Sequence, residues 1–390
     1  MKAGSTLIPR HDIHTCLPPH LSRNPVSPWI HKHAHLLPSQ HQHNNLSIPK
    51  QFVWADEHLG RAHEELNEPA IDLGSYFGGN PEAARSAVEL VRAACLSHGF
   101  FQVLNHGVDL ELVSAAEDCA VAFFKLSAGE KMKGEKKRGS LWGYSNAHAE
   151  RFPSRLPWKE TLTFGFHERC GHPPLAVEFF KSSFGQSYEH VGLVFQKYCE
   201  AMKKLSIVII EILGKSLGVD PSYYKGYFEE GCSSIMRCNF YPSCQDPTLT
   251  LGTGPHCDPN SITILHQDQV GGLQVFVDNK WKFVRPRNGA FVVNIGDTFQ
   301  VLSNGIYKSC VHRAVVNKEH ERVSLAFFLC PKEDKTIRAP GDVISREEQR
   351  RMYPDFTWSD LLHFTQHHYR ADDATLQNFC NWFLSSNNSP

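Results

Sequence analysis

Ser261-Ile262-Thr263-Ile264-Leu265-His266, followed after Gly271-Gly272 by Leu273-Gln274-Val275-Phe276-Val277-Asp278-Asn279-Lys280-Trp281-Lys282-Phe283-Val284, is a run of short β-rich segments broken by turn residues. β-branched and aromatic side chains fill a pleated, half-buried surface well, whereas Gly-Gly and Asp-Asn suit the tight turns between such strands. The same texture extends outward over Ile235 to Tyr241, Phe291 to Ile295, His312 to Val316 and Val323 to Leu329, with Arg287-Asn288-Gly289 as another break. Seven short strands at close spacing predict an antiparallel barrel or jelly roll, which closes its edges and leaves a mouth for a ligand.

On the N-terminal side the period changes. Ala84, Val88, Val91 and Cys95 recur at three- and four-residue steps, so a helix is expected from Pro81 to Gly99. A strand at Phe100 to Leu104, ended by Asn105-His106-Gly107, leads to a second helix from about Leu110 to Leu126. A third, from about Tyr188 to Leu217, aligns Leu205, Val208, Ile209 and Ile212 on a stripe fit to brace a sheet. A helical tail is expected from about Ser345 to Phe383, with Trp358, Leu361, Leu362 and Phe364 available for packing. The fold class is therefore α+β: a double-stranded β-helix (jelly-roll) core with flanking helices and a helix-rich N-terminal layer. The expected divisions are a disordered leader at 1–47, the helix-rich layer with its bracing helix at 48–230, the catalytic jelly roll at 231–335 and a C-terminal helical segment at 336–390.

Composition narrows the function. With 41% apolar and 21% charged residues and a formal net charge of -1, the 390-residue chain offers no electrostatic reason to bind nucleic acid or an acidic membrane. No obligate protein partner is implied either. The strongest apolar stretch, Leu205 to Leu213, is interrupted by Glu211 and is far short of the ~20 residues of a membrane span. Twelve scattered cysteines without a Cys-x-x-Cys pair read as thiols of a reducing, cytoplasmic compartment, with no disulfides expected. The first 47 residues hold eight of the 23 histidines and a single acidic residue, Asp12. A solvated tail is the preferred reading over a metal tract at His31, His33 and His35 or a plastid transit peptide.

Two residues in Gly254-Pro255-His256-Cys257-Asp258-Pro259 carry chemistry. Period-two geometry aims the His256 imidazole and the Asp258 carboxylate to one side of the chain. His312, opening a later strand, can reach the same barrel mouth. Two histidines and one carboxylate form a facial set suited to non-haem iron(II), with open positions for an oxo acid and dioxygen; a closed four-ligand zinc site has none. A single His-x-Asp among so many histidines would more often be a surface pair. Arg322 and Ser324 change the balance, because they share a strand face and match a carboxylate with a guanidinium fork and a hydroxyl. The far carboxylate of 2-oxoglutarate is the expected partner, and Asn239 and Tyr241, again two apart, can add an amide and a phenol.

From about Ile71 to Lys332 the chain resembles the plant 2-oxoglutarate and iron(II)-dependent oxygenases. His256-x-Asp258, His312 and Arg322-x-Ser324 match the iron and co-substrate motifs in order and spacing, and His98-Gly99-Phe100-Phe101 and Asn105-His106-Gly107 are similar to the N-terminal signature. A narrower likeness is to gibberellin 20-oxidases. It rests on Leu156-Pro157-Trp158-Lys159-Glu160-Thr161-Leu162, on Asn239 to Gln245 and on Ile48-Pro49-Lys50-Gln51-Phe52-Val53-Trp54. The second stretch departs from the usual Asn-Tyr-Tyr-Pro-Pro-Cys-Gln at Phe240 and Ser243; Phe240 is expected to point away from the Asn239 and Tyr241 side. The resemblance implies Fe(II), 2-oxoglutarate, dioxygen and supporting ascorbate, with a gibberellin-type diterpenoid acid losing carbon 20 through successive oxidations. Trp158 then becomes a flat apolar wall and Lys159 a cation for that substrate, although by themselves Trp158 and Leu162 read as core residues at helical spacing. Rival readings are oxidation of another gibberellin carbon or a flavonoid, a non-catalytic jelly-roll receptor for a small acid, and a zinc isomerase.

Overall fold

The computed structural model describes residues 48–387, apart from 55–58, 61, 148–154, 169–171, 229–231, 233, 347–349 and 368–373. The leader, with His31, His33 and His35, lies outside the described residues.

Two sheets form the centre. The larger has eight strands in the spatial order Ala70–Asp72, Phe100–Leu104, Phe291–Ile295, Ile262–Gln267, Arg322–Leu329, Ser234–Tyr241, Glu160–Phe166 and Gly143–Asn146. The smaller has five: Glu64–Glu65, Lys280–Phe283, Leu273–Val277, His312–Ala314 and Thr253–His256. Antiparallel pairing dominates among the described residues, and the two short N-terminal strands 64–65 and 70–72 pair in parallel. Phe100 and Val292 from the large sheet cluster with Leu273 and Val275 from the small one, so the sheets close on a shared apolar interior. This is the jelly-roll core expected from the strand texture. Gly271 and Gly272 sit at φ 81° and 117°, backbone that a side chain would strain, and a Cβ on Gly272 would fall 2.7 Å from the Val315 carbonyl.

Helix Pro81–Ser97 starts where Asn80 accepts from the amides of Glu82 and Ala83, and Leu110–Phe124 starts at the Asp109 cap. The 28-residue helix Glu189–Ser216 buries Leu205, Ile209 and Ile212, leaves Val208 half-buried, and lies against the strands 262–267 and 322–329. The tail expected to be helical from about Ser345 to Phe383 comprises the helices Gly341–Arg346, Trp358–His367 and Thr375–Asn387, with a small ribbon between Thr336–Ile337 and Phe356–Thr357. Pro354 lies between the first two of these helices, where the residue before a proline is driven to extended backbone.

Leu156 to Leu162, read from sequence with Trp158 and Leu162 as core residues at helical spacing, runs instead into the strand Glu160–Phe166. Every residue of Glu160–Phe166 is buried, on both faces of a strand. Strands covered on both sides lose the alternation that sequence reading relies on. Phe164 contacts Phe180 at 5.4 Å and Phe195 at 5.2 Å between ring centroids, which fixes this strand to the helices Leu175–Phe184 and Glu189–Ser216. Phe164→Ala is expected to cost about 3–5 kcal/mol through cavity formation, read as a lower urea midpoint with an unchanged slope; an unchanged midpoint would contradict this packing.

Candidate active site

Cross-strand register brings the two histidines together. His312 is the direct partner of His256 in the antiparallel pair of 312–314 with 253–256, and their ring centroids are 4.2 Å apart. Asp258, two residues past His256, turns its carboxylate to both rings: Oδ1 is 3.6 Å from His256 Nε2, and Oδ2 is 3.7 Å from His312 Nε2. One ligand atom from each of the three lies within 4.8 Å of the others. Backbone carbonyls fix the tautomers. Nδ1 of His256 faces the Gly254 carbonyl at 2.9 Å, and Nδ1 of His312 faces that of Cys310 at 3.1 Å. A carbonyl can only accept, so each Nδ1 carries the proton and each Nε2 lone pair is left for a cation.

The large sheet supplies the outer support. Asp258 Oδ2 accepts from Thr263 Oγ1 at 2.7 Å and from Asn294 Nδ2 at 2.9 Å, two residues that are themselves cross-strand partners. Burial opposes ionisation of Asp258, but the adjacent histidines and these two donors outweigh it and hold the carboxyl below its ordinary range. For His256, burial first and then the neighbouring His312 disfavour the imidazolium, so it stays neutral, as a metal ligand must be. Neither Thr263 nor Asn294 was singled out from sequence. The signal was a polar residue in each of two otherwise apolar strands, Ile262-Thr263-Ile264 and Val293-Asn294-Ile295.

The same cavity continues to Arg322, Ser324, Asn239 and Tyr241. Again register accounts for the grouping: Arg322 is paired with Tyr241, and Ser324 with Asn239. The Arg322 guanidinium lies over the Tyr241 ring at 4.9 Å and donates to Gln267 Oε1 at 3.1 Å, and Asn239 Nδ2 donates to Ser324 Oγ at 3.3 Å. Arg322 is 2% exposed, yet its Nε and the Gln267 Nε2 are buried without an acceptor. Buried donors left in this state call for an anion. Two imidazoles and a carboxylate around one point, with orphaned donors deeper in the cavity, fit an iron ion chelated by a small dicarboxylate whose far end reaches Arg322.

Sequence reading stopped one step short on these strands. Ile235, Arg237, Asn239 and Tyr241 all face the cavity, as do Arg322, Ser324, Ala326 and Phe328, so the period of two runs further than the polar pairs alone suggested. Phe240, on the other face, stacks on Phe124 at 5.3 Å. Leu141, Trp358 and Leu362 add apolar wall from outside the barrel.

The segment around Trp158 divides between two environments. Lys159 reaches the cavity and donates to Thr253 Oγ1 at 3.0 Å. Trp158 does not line it: its ring meets Phe52 at 5.2 Å in a cluster with Leu156, Tyr241 and Cys244. The apolar wall expected of Trp158 is occupied by Trp358, while Trp158 backs Tyr241 from behind. Phe52, Trp158 and Cys244 come from the three stretches that carried the narrower resemblance, so these converge around Tyr241.

Residues 232–331 match the profile of the 2OG-Fe(II) oxygenase superfamily, and residues 69–182 match that of the non-haem dioxygenase in morphine synthesis N-terminal domain. The chain belongs to the 2OG-Fe(II) oxygenase superfamily and is an Fe(II)- and 2-oxoglutarate-dependent dioxygenase. Within that superfamily it is 53% identical to gibberellin 20 oxidase 2 of Oryza sativa subsp. indica over 86% of this chain and 85% of that protein. It is 52% identical to gibberellin 20 oxidase 2 of Arabidopsis thaliana over 87% and 89% of the two chains. A crystal structure of JOX2 in complex with 2OG, Fe and JA superposes with a TM-score of 0.74 at 32% identity, covering 87% of this chain and 95% of that one. The dioxygenase for auxin oxidation of rice superposes at 0.63 and 28% identity, over 80% and 99%.

Asn294→Ala and Thr263→Val each remove one donor that orients Asp258. Either change is expected to weaken Fe(II) binding about 10- to 100-fold, the usual loss for an outer-shell partner of a metal ligand, in an anaerobic metal titration. Unchanged affinity in both variants would contradict the supporting role.

Proposed function

We propose that this protein is a gibberellin 20-oxidase, taking a carboxylated C20 gibberellin precursor through successive oxidations that end in loss of carbon 20. The identity to named gibberellin 20 oxidases over most of both chains supports the substrate class. The observation that carries the reading is a single cavity with a three-residue metal set, a buried arginine for the co-substrate, and apolar walls with two further cations toward the substrate.

In this reading His256, Asp258 and His312 hold Fe(II). Arg322 and Ser324, with Tyr241 and Asn239, receive the far carboxylate of 2-oxoglutarate and so orient its oxo-acid end toward the metal. When bound, the iron supplies dioxygen activation coupled to oxidative decarboxylation of 2-oxoglutarate to succinate and carbon dioxide. The protein positions the target carbon and keeps water away. Leu141, Phe328, Trp358 and Leu362 cover the apolar ring system, and Lys159 and Arg237 meet its carboxylate. Ascorbate supports turnover as reductant. A cytoplasmic location belongs to the same proposal; none of the ten described cysteines is in a disulfide, and among the described residues no helix is long and apolar enough to cross a membrane.

Two variants separate the two acids. Arg237→Ala should raise KM for the gibberellin about 10- to 100-fold, the worth of one hydrogen bond to a charged group, with little change for 2-oxoglutarate. Arg322→Ala should do the reverse. Equal effects on both would contradict the division of the cavity. With Fe(II), ascorbate and 2-oxoglutarate, succinate should accumulate in step with oxidation at carbon 20 when products are read by mass. Oxidation only at another gibberellin carbon, or of a flavonoid alone, would remove the proposal while leaving the dioxygenase chemistry intact.

A further inference from the structure

The helix Glu189–Ser216 carries a lysine on the face it buries. Lys203 is 6% exposed, beside Met202 and near Leu205, and its Nζ donates to the Phe228 carbonyl at 2.8 Å. Its other close neighbour is the thiol of Cys232, itself 5% exposed, with Nζ and Sγ only 2.7 Å apart. The sulfur also lies 3.5 Å from the Phe228 carbonyl, so one backbone oxygen anchors both groups. Cys330 shares their electrostatic surroundings: burial raises its thiol pKa, Cys232 adds to the rise and Lys203 opposes it. Cys330 itself lines the active-site cavity.

The separation of 2.7 Å is the informative quantity. An N–H···O bond spans about 2.7–3.2 Å, and sulfur is the larger acceptor, so this amine and thiol are closer than a hydrogen bond to sulfur allows. Two short single bonds meeting at one oxygen atom span such a gap.

We propose that Lys203 and Cys232 are a redox modification site, joined by a covalent bridge in which one oxygen atom links Nζ to Sγ. The oxidant is dioxygen, the gas that the neighbouring cavity handles. The amine, once its ammonium proton has passed to solvent, and the thiol each give up an electron pair. One oxygen atom becomes the bridge, and the other leaves as water with one hydrogen from the amine and the thiol hydrogen. The remaining N–H still donates to Phe228. Four electrons and four protons, from two dithiol molecules, return the free amine, the thiol and a second water. The bridge ties the middle of the bracing helix to the residue two before strand Ser234–Tyr241, which presents Arg237, Asn239 and Tyr241 to the cavity. Closing the chain between 203 and 232 also restricts the unfolded state, as any crosslink does.

Full-length protein equilibrated in air and digested without reductant should yield the Lys203 peptide joined to the Cys232 peptide. Its mass should exceed their sum by one oxygen less two hydrogens. Dithiothreitol should abolish that species and lower Tm by several degrees, and Lys203→Met and Cys232→Ser should form no such peptide and show no reductant-dependent shift. Complete alkylation of Cys232 in the air-equilibrated, denatured protein would overturn the proposal, as would a Cys232–Cys330 disulfide in its place. Because the mass measurement is made on the unmutated chain, it decides even if either variant fails to fold.

Discussion

The site depends on strand register. His256 faces His312 across one antiparallel pair, and Arg322 and Ser324 face Tyr241 and Asn239 across another. A slip of one residue in either pair would turn every side chain to the opposite face of its sheet. These six side chains from distant parts of the chain are thus fixed by backbone hydrogen bonding, before any ligand arrives. Burial strengthens the constraint, since Asp258, Arg322 and Ser324 sit among strands covered on both faces and have no room to seek other partners.

From that constraint the electrostatics follow. A buried carboxylate is costly unless paired, and Asp258 is paired on one side with two hydrogen-bond donors and on the other with two imidazoles. The His256 imidazole is kept neutral by burial, and both imidazoles are oriented by backbone carbonyls, an arrangement that suits a cation. At the other end of the cavity the balance reverses. Arg322 brings positive charge and an unpartnered N–H, so an anion belongs there. A ligand with an oxo acid at one end and a carboxylate at the other satisfies both.

Much of this was legible in the chain. The β-branched runs located seven of the strands to within a residue or two but missed Thr253–His256, and pairs of polar residues two apart singled out both His256 with Asp258 and Arg322 with Ser324. What stayed hidden has physical causes. Glu160–Phe166 is buried on both faces, so it shows no alternation, and Trp158 could not be assigned to the cavity or its backing without knowing how Phe52 packs. Thr263 and Asn294 act through another side chain rather than through a motif. Arg237 was within reach, because it continues the period of two from Asn239 and Tyr241, but a lone arginine carries no signature of its own.

The central claim is that one iron ion and one 2-oxoglutarate share this cavity, held by the groups that strand register brings together. Its most direct test is an anaerobic titration of the purified protein with Fe(II) and 2-oxoglutarate, followed by the visible charge-transfer absorption of the chelated metal. The account predicts that the band appears at one equivalent of each in the wild type and is lost in His312→Ala. A band of undiminished intensity in that variant would contradict it.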